Sequence, residues 1–109
     1  MGSSNRARLQ ALIDDATVDC YNDDEQLTGL YTKLDEHLEL PFETTVLGVT
    51  VTVDAIDLRE SGDLVALCFS DGTRQPIPLE DLPLPTPPPP GVEWVEAYRL
   101  WARRNGRRG

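Results

Sequence analysis

The residues that could do chemistry are concentrated in one run, Asp19-Cys20-Tyr21-Asn22-Asp23-Asp24-Glu25. Asp15, Asp19 and Asp23 recur at i, i+4, i+8, and no lysine or arginine lies within four positions of any of them. Like charges at this spacing destabilise a helix by ~0.2–0.5 kcal/mol per pair. The run is therefore locally unfavourable unless a cation sits on it. A helix turns by about 100° per residue, so a continuous helix would point Asp23 into its own apolar stripe and leave Asp19 at the edge. A carboxylate turned toward a core must be paired, capped or metal-bound.

Three readings compete. Asp23 can be the N-cap of a second helix, with Asp24 and Glu25 in the first turn, where acids are favoured. That reading leaves Asp15 and Asp19 without a role. The second is a hard-cation site: calcium takes 6–8 oxygens in flexible geometry, and carboxylates, the Asn22 amide and backbone carbonyls supply them. The third is an acidic face for a basic protein surface.

An EF-hand loop is absent, because that motif needs a glycine at its sixth position and a glutamate at its twelfth. Counted from Asp19 these are Asp24 and Leu30, and from Asp23 they are Thr28 and Leu34. Zinc is disfavoured, since His37 is the single histidine and Cys20 and Cys68 lie far apart. His37, among Asp35, Glu36 and Glu39, reads as a solvated side chain, and both cysteines read as buried, reduced thiols of a reducing compartment. No nucleophile–histidine–acid set and no phosphate-cradling glycine loop is present, which argues against an enzyme.

The charge pattern narrows the partners. The formal net charge of the 109 residues is −9. Residues 14–43 hold ten carboxylates opposed only by Lys33, whereas Arg99, Arg103, Arg104, Arg107 and Arg108 make the end of the chain basic. Such a surface repels nucleic acid and anionic lipid. No run of apolar residues is long enough to span a membrane, and residues 1–8 lack the apolar core of a secretory signal. The expectation is a cytoplasmic protein whose partners are cations or basic protein surfaces, with no nucleic acid and no membrane.

These residues need elements to position them. Leu9, Leu12, Ile13, Ala16 and Cys20 follow helical spacing, and Leu27, Leu30, Tyr31, Leu34 and Leu38 repeat it in phase. Either one helix runs over about 5–38, with Ser4 as N-cap, or two meet near Asn22-Asp23-Asp24. Pro41 ends the helical segment. From Thr45 the period becomes two, with Val49, Val51 and Val53 on one face. Ala55-Ile56 suggest a bulge, residues 64–69 an inner strand, and Asp71-Gly72 a tight hairpin into an edge strand limited by Pro76 and Pro78. Residues 80–82 read as a helical turn, and residues 83–90, PLPTPPPP, as a polyproline strap. A helix after Gly91 carries Trp94, Ala97, Tyr98 and Trp101 on one face. The expected fold class is α+β in a single domain over 1–109. Its parts are an acidic helical segment (1–42), a small, strongly bent antiparallel sheet of SH3-like barrel type (43–82), the strap (83–91), a C-terminal helix (92–104) and a basic tail (105–109).

The run Val18-Asp19-Cys20-Tyr21-Asn22-Asp23-Asp24-Glu25, followed by Gly29, Tyr31, Leu34, Leu38 and Leu40-Pro41-Phe42, resembles the calcium-binding family first described from cyanobacteria and labelled CcbP. The resemblance extends through Pro78-Leu79, Leu82, Tyr98 and Trp101 and covers roughly residues 9–103, with most of its weight in 18–42. It implies a calcium-binding protein, a buffer or sensor, that holds Ca2+ through clustered acidic side chains without an EF-hand. It also implies Asp19, Asp23, Asp24 and Glu25 as ligands, and Asp15 joins them by its helical spacing. The alternative is an interaction or structural module that uses the acidic face without a metal.

Overall fold

The computed structural model describes residues 2–105, with side chains from residue 5, so Arg107 and Arg108 of the expected basic tail lie outside the described residues. The order of elements is α1 (Gly2–Ala16), α2 (Asp23–His37), β1 (Phe42–Val46), β2 (Val49–Leu58), β3 (Leu64–Ser70), β4 (Thr73–Pro78) and α3 (Val92–Arg104). Three helices and one four-stranded antiparallel sheet make the fold α+β.

Of the two arrangements open for the first third, the chain takes the two-helix one. Thr17 turns its hydroxyl back onto the Ile13 carbonyl at 2.7 Å, a local bond that competes with helix continuation. Asp19 then adopts a left-handed backbone with φ 66°. Asn22 is extended and caps α2, its side-chain oxygen accepting the Glu25 amide at 2.9 Å. Asp23 is therefore the first residue of α2 and not its cap. It is exposed, and the inward orientation that a continuous helix would give it does not occur. Helix α1 starts at Gly2, ahead of the Ser4 expected as its cap, a difference within the ordinary fraying of helix ends.

The helices cross closely where they meet. A Cβ on Gly29 would lie 2.2 Å from the Ala16 carbonyl oxygen, so only glycine lets α2 touch the end of α1. Leu9, Ile13 and Ala16 from α1, and Leu27, Leu30, Leu34 and Leu38 from α2 and its C-cap, are buried in one core. Cys68 is buried there too, whereas Cys20 is only half-buried, because the break in the helix carries it out of the stripe. Burial and the nearby Asp54 charge push the Cys68 thiol above its ordinary pKa.

The sheet is a meander in the order β1-β2-β3-β4. Both outer hairpins turn through two residues at positive φ: Leu47-Gly48 (50° and 80°) and Asp71-Gly72 (51° and 76°). This is the signature of the type I′ turn. A bulge between Val53 and Ala55 leaves Asp54 out of register, one residue earlier than the bulge expected at Ala55-Ile56. There Asp54 pairs with Arg74 at 2.9 Å. Among the described residues β1 and β4 do not pair, so the sheet stays open and the barrel closure expected from the sequence is not seen. Two features oppose closure. Pro76 and Pro78 remove donors from β4. Thr44 of β1 is buried under the strap and donates its hydroxyl to the Pro83 carbonyl at 2.6 Å.

The strap returns the chain to the helices. The half-buried Arg99 guanidinium donates to the Leu79 carbonyl at 3.1 Å and to that of Leu82, fixing the turn before the prolines. Desolvation lowers the pKa of Arg99, opposed by the charges of Glu96, Asp81 and Glu80. At the far end the Glu39 amide donates to the Pro90 carbonyl at 2.9 Å. Gly91 has φ 89°, and a Cβ there would lie 2.1 Å from the His37 carbonyl oxygen. Helix α3 follows, with Trp94, Ala97, Tyr98 and Trp101 buried as its apolar face requires. The Tyr98 hydroxyl accepts the Leu64 amide at 3.1 Å, and the Trp101 indole donates to the Gln26 side chain at 2.8 Å. Among the described residues no helix is long and apolar enough to cross a membrane.

Candidate metal site

The acidic run occupies the joint between α1 and α2. The five candidates lie on three pieces of it: Asp15 in the last turn of α1, Asp19 in the connection, and Asp23, Asp24 and Glu25 in the first turn of α2. All five are exposed. The connection is held from within. The Cys20 amide donates to the Thr17 carbonyl at 3.0 Å, and the Tyr21 amide donates to Glu25 Oε1 at 2.7 Å. Together with the Asn22 cap, these bonds tie Glu25 to both sides of the helix start, close to the reciprocal pattern of a capping box. The spacing Asn22-x-x-Glu25 before Leu27 is the sequence signal for this start.

Two local charges oppose a bare cation. The first-turn amides of α2 present the positive end of its dipole, which Asp23, Asp24 and Glu25 offset. Asp15 is already engaged: Lys33 of α2 reaches it at 3.3 Å. That partner is 18 positions away in sequence, and only the packing of the two helices reveals it. The same ammonium lies 5.8 Å from the Trp94 ring centroid. His37 stacks on this indole with the rings 5.5 Å apart, so it is docked and not merely solvated.

Asp24 borders a second feature, a cleft of about 190 Å³ between the start of α2 and the β2–β3 loop, lined also by Thr28, Arg59 and Glu60. Sequence spacing does not show that Glu60 comes near the acidic run, because packing of the β2–β3 loop beside α2 produces the approach.

The donor chemistry suits calcium: hard carboxylate oxygens, an amide oxygen and loop carbonyls, all open to solvent. The arrangement is not a finished cage. Among the described residues no three histidine, cysteine, aspartate or glutamate side chains converge as metal ligands. Within the run the structure juxtaposes Glu25 with Asn22 and Tyr21, and Asp15 with Lys33, and it does not gather the five carboxylates at one point.

A family model described as calcium binding, Calci_bind_CcbP, matches residues 10–102. No curated protein and no solved structure matches the chain significantly. The family match spans the end of α1 from residue 10, all of α2, the whole sheet, the strap and most of α3. Calcium is accordingly the ion that this chain binds, and the chain is a member of the CcbP calcium-binding family.

Proposed function

We propose that the protein is a non-enzymatic calcium buffer or sensor of the cytoplasm, and that the joint between α1 and α2 is where the ion is held. The observation that carries this reading is the coincidence of the family match over residues 10–102 with five exposed carboxylates on one short joint. Asp19, Asp23, Asp24 and Glu25 supply oxygens, with Asp15 entering when Lys33 yields it. Bound calcium supplies positive charge that offsets the mutual repulsion of these groups. The left-handed Asp19 and the Glu25–Tyr21 bond shape a connection whose acidic side chains are open to solvent.

A calorimetric titration of metal-free protein tests the reading. The expected dissociation constant is on the order of 10⁻⁶–10⁻⁴ M, as for an oxygen site that is not pre-formed. No heat at about 1 mM calcium in low salt, a concentration far above sensor affinities, would remove it.

A second reading has its own support. Val18 and Tyr21 are 66% and 89% exposed within the same acidic connection. Apolar side chains rimmed by carboxylates suit a basic, amphipathic protein segment. That module needs no metal, so its melting temperature would not respond to calcium.

A further inference from the structure

Helix α1 ends on a carboxylate that its own sequence leaves unbalanced. Asp15 lies in the last turn, at the negative end of the helix dipole, and that turn holds no basic residue. The balancing charge comes from α2. Lys33, the one lysine or arginine among positions 14–43, reaches Asp15 Oδ2 at 3.3 Å.

The packing around this ammonium holds it in place. Gly29, one turn earlier, lets α2 touch the Ala16 carbonyl, which brings the next turn of α2 beside Asp15. The Trp94 ring centroid lies 5.8 Å from the nitrogen, and that indole is itself buried and stacked on His37. The Lys33 side chain is only 28% exposed, against 64% for Asp15. An ion pair between two freely moving surface side chains is worth little, because both must be ordered to form it. Here the indole face already orders the lysine, and the short aspartate meets a charge that is in position.

We propose that Lys33 sets the calcium affinity of the joint: its ammonium occupies Asp15 in the metal-free protein, and calcium gains that carboxylate only by displacing it. The proposal rests on the calcium reading of the joint given above. A second cation brought to the Asp15 oxygen that Lys33 holds meets a like charge at close range. Calcium carries two charges against one, so the carboxylate attracts it more strongly than the ammonium at equal distance. The tethered lysine, however, is always present, whereas the ion must reach a sufficient concentration. Lys33 thus lowers the affinity and gives the joint a threshold, and Trp94 acts as its positioning residue.

Calorimetric titration of the full chain with calcium in low salt tests this across substitutions of Lys33, Asp15→Asn and the double variant. Lys33→Met, and Lys33→Gln as a more polar replacement, should each tighten calcium binding at least about threefold, the scale of a partly buried pair reinforced by an aromatic face. The melting temperature of the metal-free protein should meanwhile stay level or fall. A purely structural pair would move the melting temperature and leave the affinity alone. On the Asp15→Asn background, Lys33→Met should bring little gain, because the contested carboxylate has gone, and this non-additivity is the mark of a direct competition. Lys33→Arg keeps the charge and should bind calcium no more tightly than the wild type. A wild type that binds calcium, with no tightening in Lys33→Met or Lys33→Gln, would overturn the proposal and leave the joint standing. An equal gain with and without Asp15 would overturn it too, since that is the response to net charge alone. Absence of heat in every variant would remove the calcium reading of the joint together with it.

Discussion

Single side chains at the acidic joint separate ligand roles from folding roles. Asn22 caps α2, so Asn22→Ala should cost ~1 kcal/mol of stability, equally with calcium and with chelator. Asp19→Asn keeps a residue that tolerates φ 66°, so the metal-free protein should hold its stability while calcium binding falls at least about tenfold, ~1.4 kcal/mol. Asp23 has a mixed part in the proposed site. At the first position of α2 its charge complements the helix dipole, so Asp23→Asn should lose ~0.3–1 kcal/mol without metal and weaken calcium binding further. Chemical unfolding of the three variants in both states, with calorimetry beside it, checks the pattern; a calcium response untouched by Asp19→Asn would take that residue out of the site. In the core, Cys68 makes stability depend on pH. Its folded pKa is raised, so the unfolded chain releases the proton first. Its contribution is complete below the ordinary thiol value of 9.0 and declines as pH rises from there through the folded value. Urea midpoints at alkaline pH should fall more steeply for the wild type than for Cys68→Ala.

At the scale of elements, the strap succeeds or fails at its ends. Gly91→Ala forces an L side chain into φ 89° and against the His37 carbonyl, and a loss of roughly 2–4 kcal/mol is expected in thermal unfolding. An unchanged melting temperature would mean that the strap does not seat on α2 in solution. How far such elements can be read from sequence depends on whether their determinants are local. The Asp71-Gly72 hairpin, the edge character of β4 and the buried face of α3 are all legible, because each rests on neighbouring residue types or a short period. The break between the helices is ambiguous in sequence, since stripes 18 residues apart stay in phase across it. What decides it is Thr17, Asp19 and the Asn22 cap, and the Asn22-x-x-Glu25 spacing is the cue that identifies the true cap. Strand β1 and the Leu47-Gly48 turn carry weak signals, because Phe42–Val46 is short and leucine is an atypical residue for its turn. The Lys33–Asp15 pair and the approach of Glu60 to Asp24 depend on packing between elements, and no spacing rule contains them.

Across the whole molecule, the candidate carboxylates are exposed at the helical joint, and apolar Val18 and Tyr21 are exposed beside them. A joint of exposed, separately placed carboxylates favours a large ion with adaptable coordination over one that demands an octahedron. Calcium should therefore raise the melting temperature well above the effect of magnesium at about 1 mM each, a contrast expected from their coordination preferences; equal shifts would indicate diffuse screening in place of a site. Ligand-linked stabilisation should also grow with free calcium as the logarithm of its concentration. Lys33 connects this chemistry to the middle of the fold, because one ammonium both pairs with Asp15 and overlies Trp94. If calcium claims Asp15, the ammonium is released to shift over the indole, and the electrostatic environment of that ring changes with it. The protein then carries an optical gauge of its own metal occupancy. In a Trp101→Phe background the emission of Trp94 should move during a calcium titration with the calorimetric midpoint, and Lys33→Met should flatten the signal while the ion still binds.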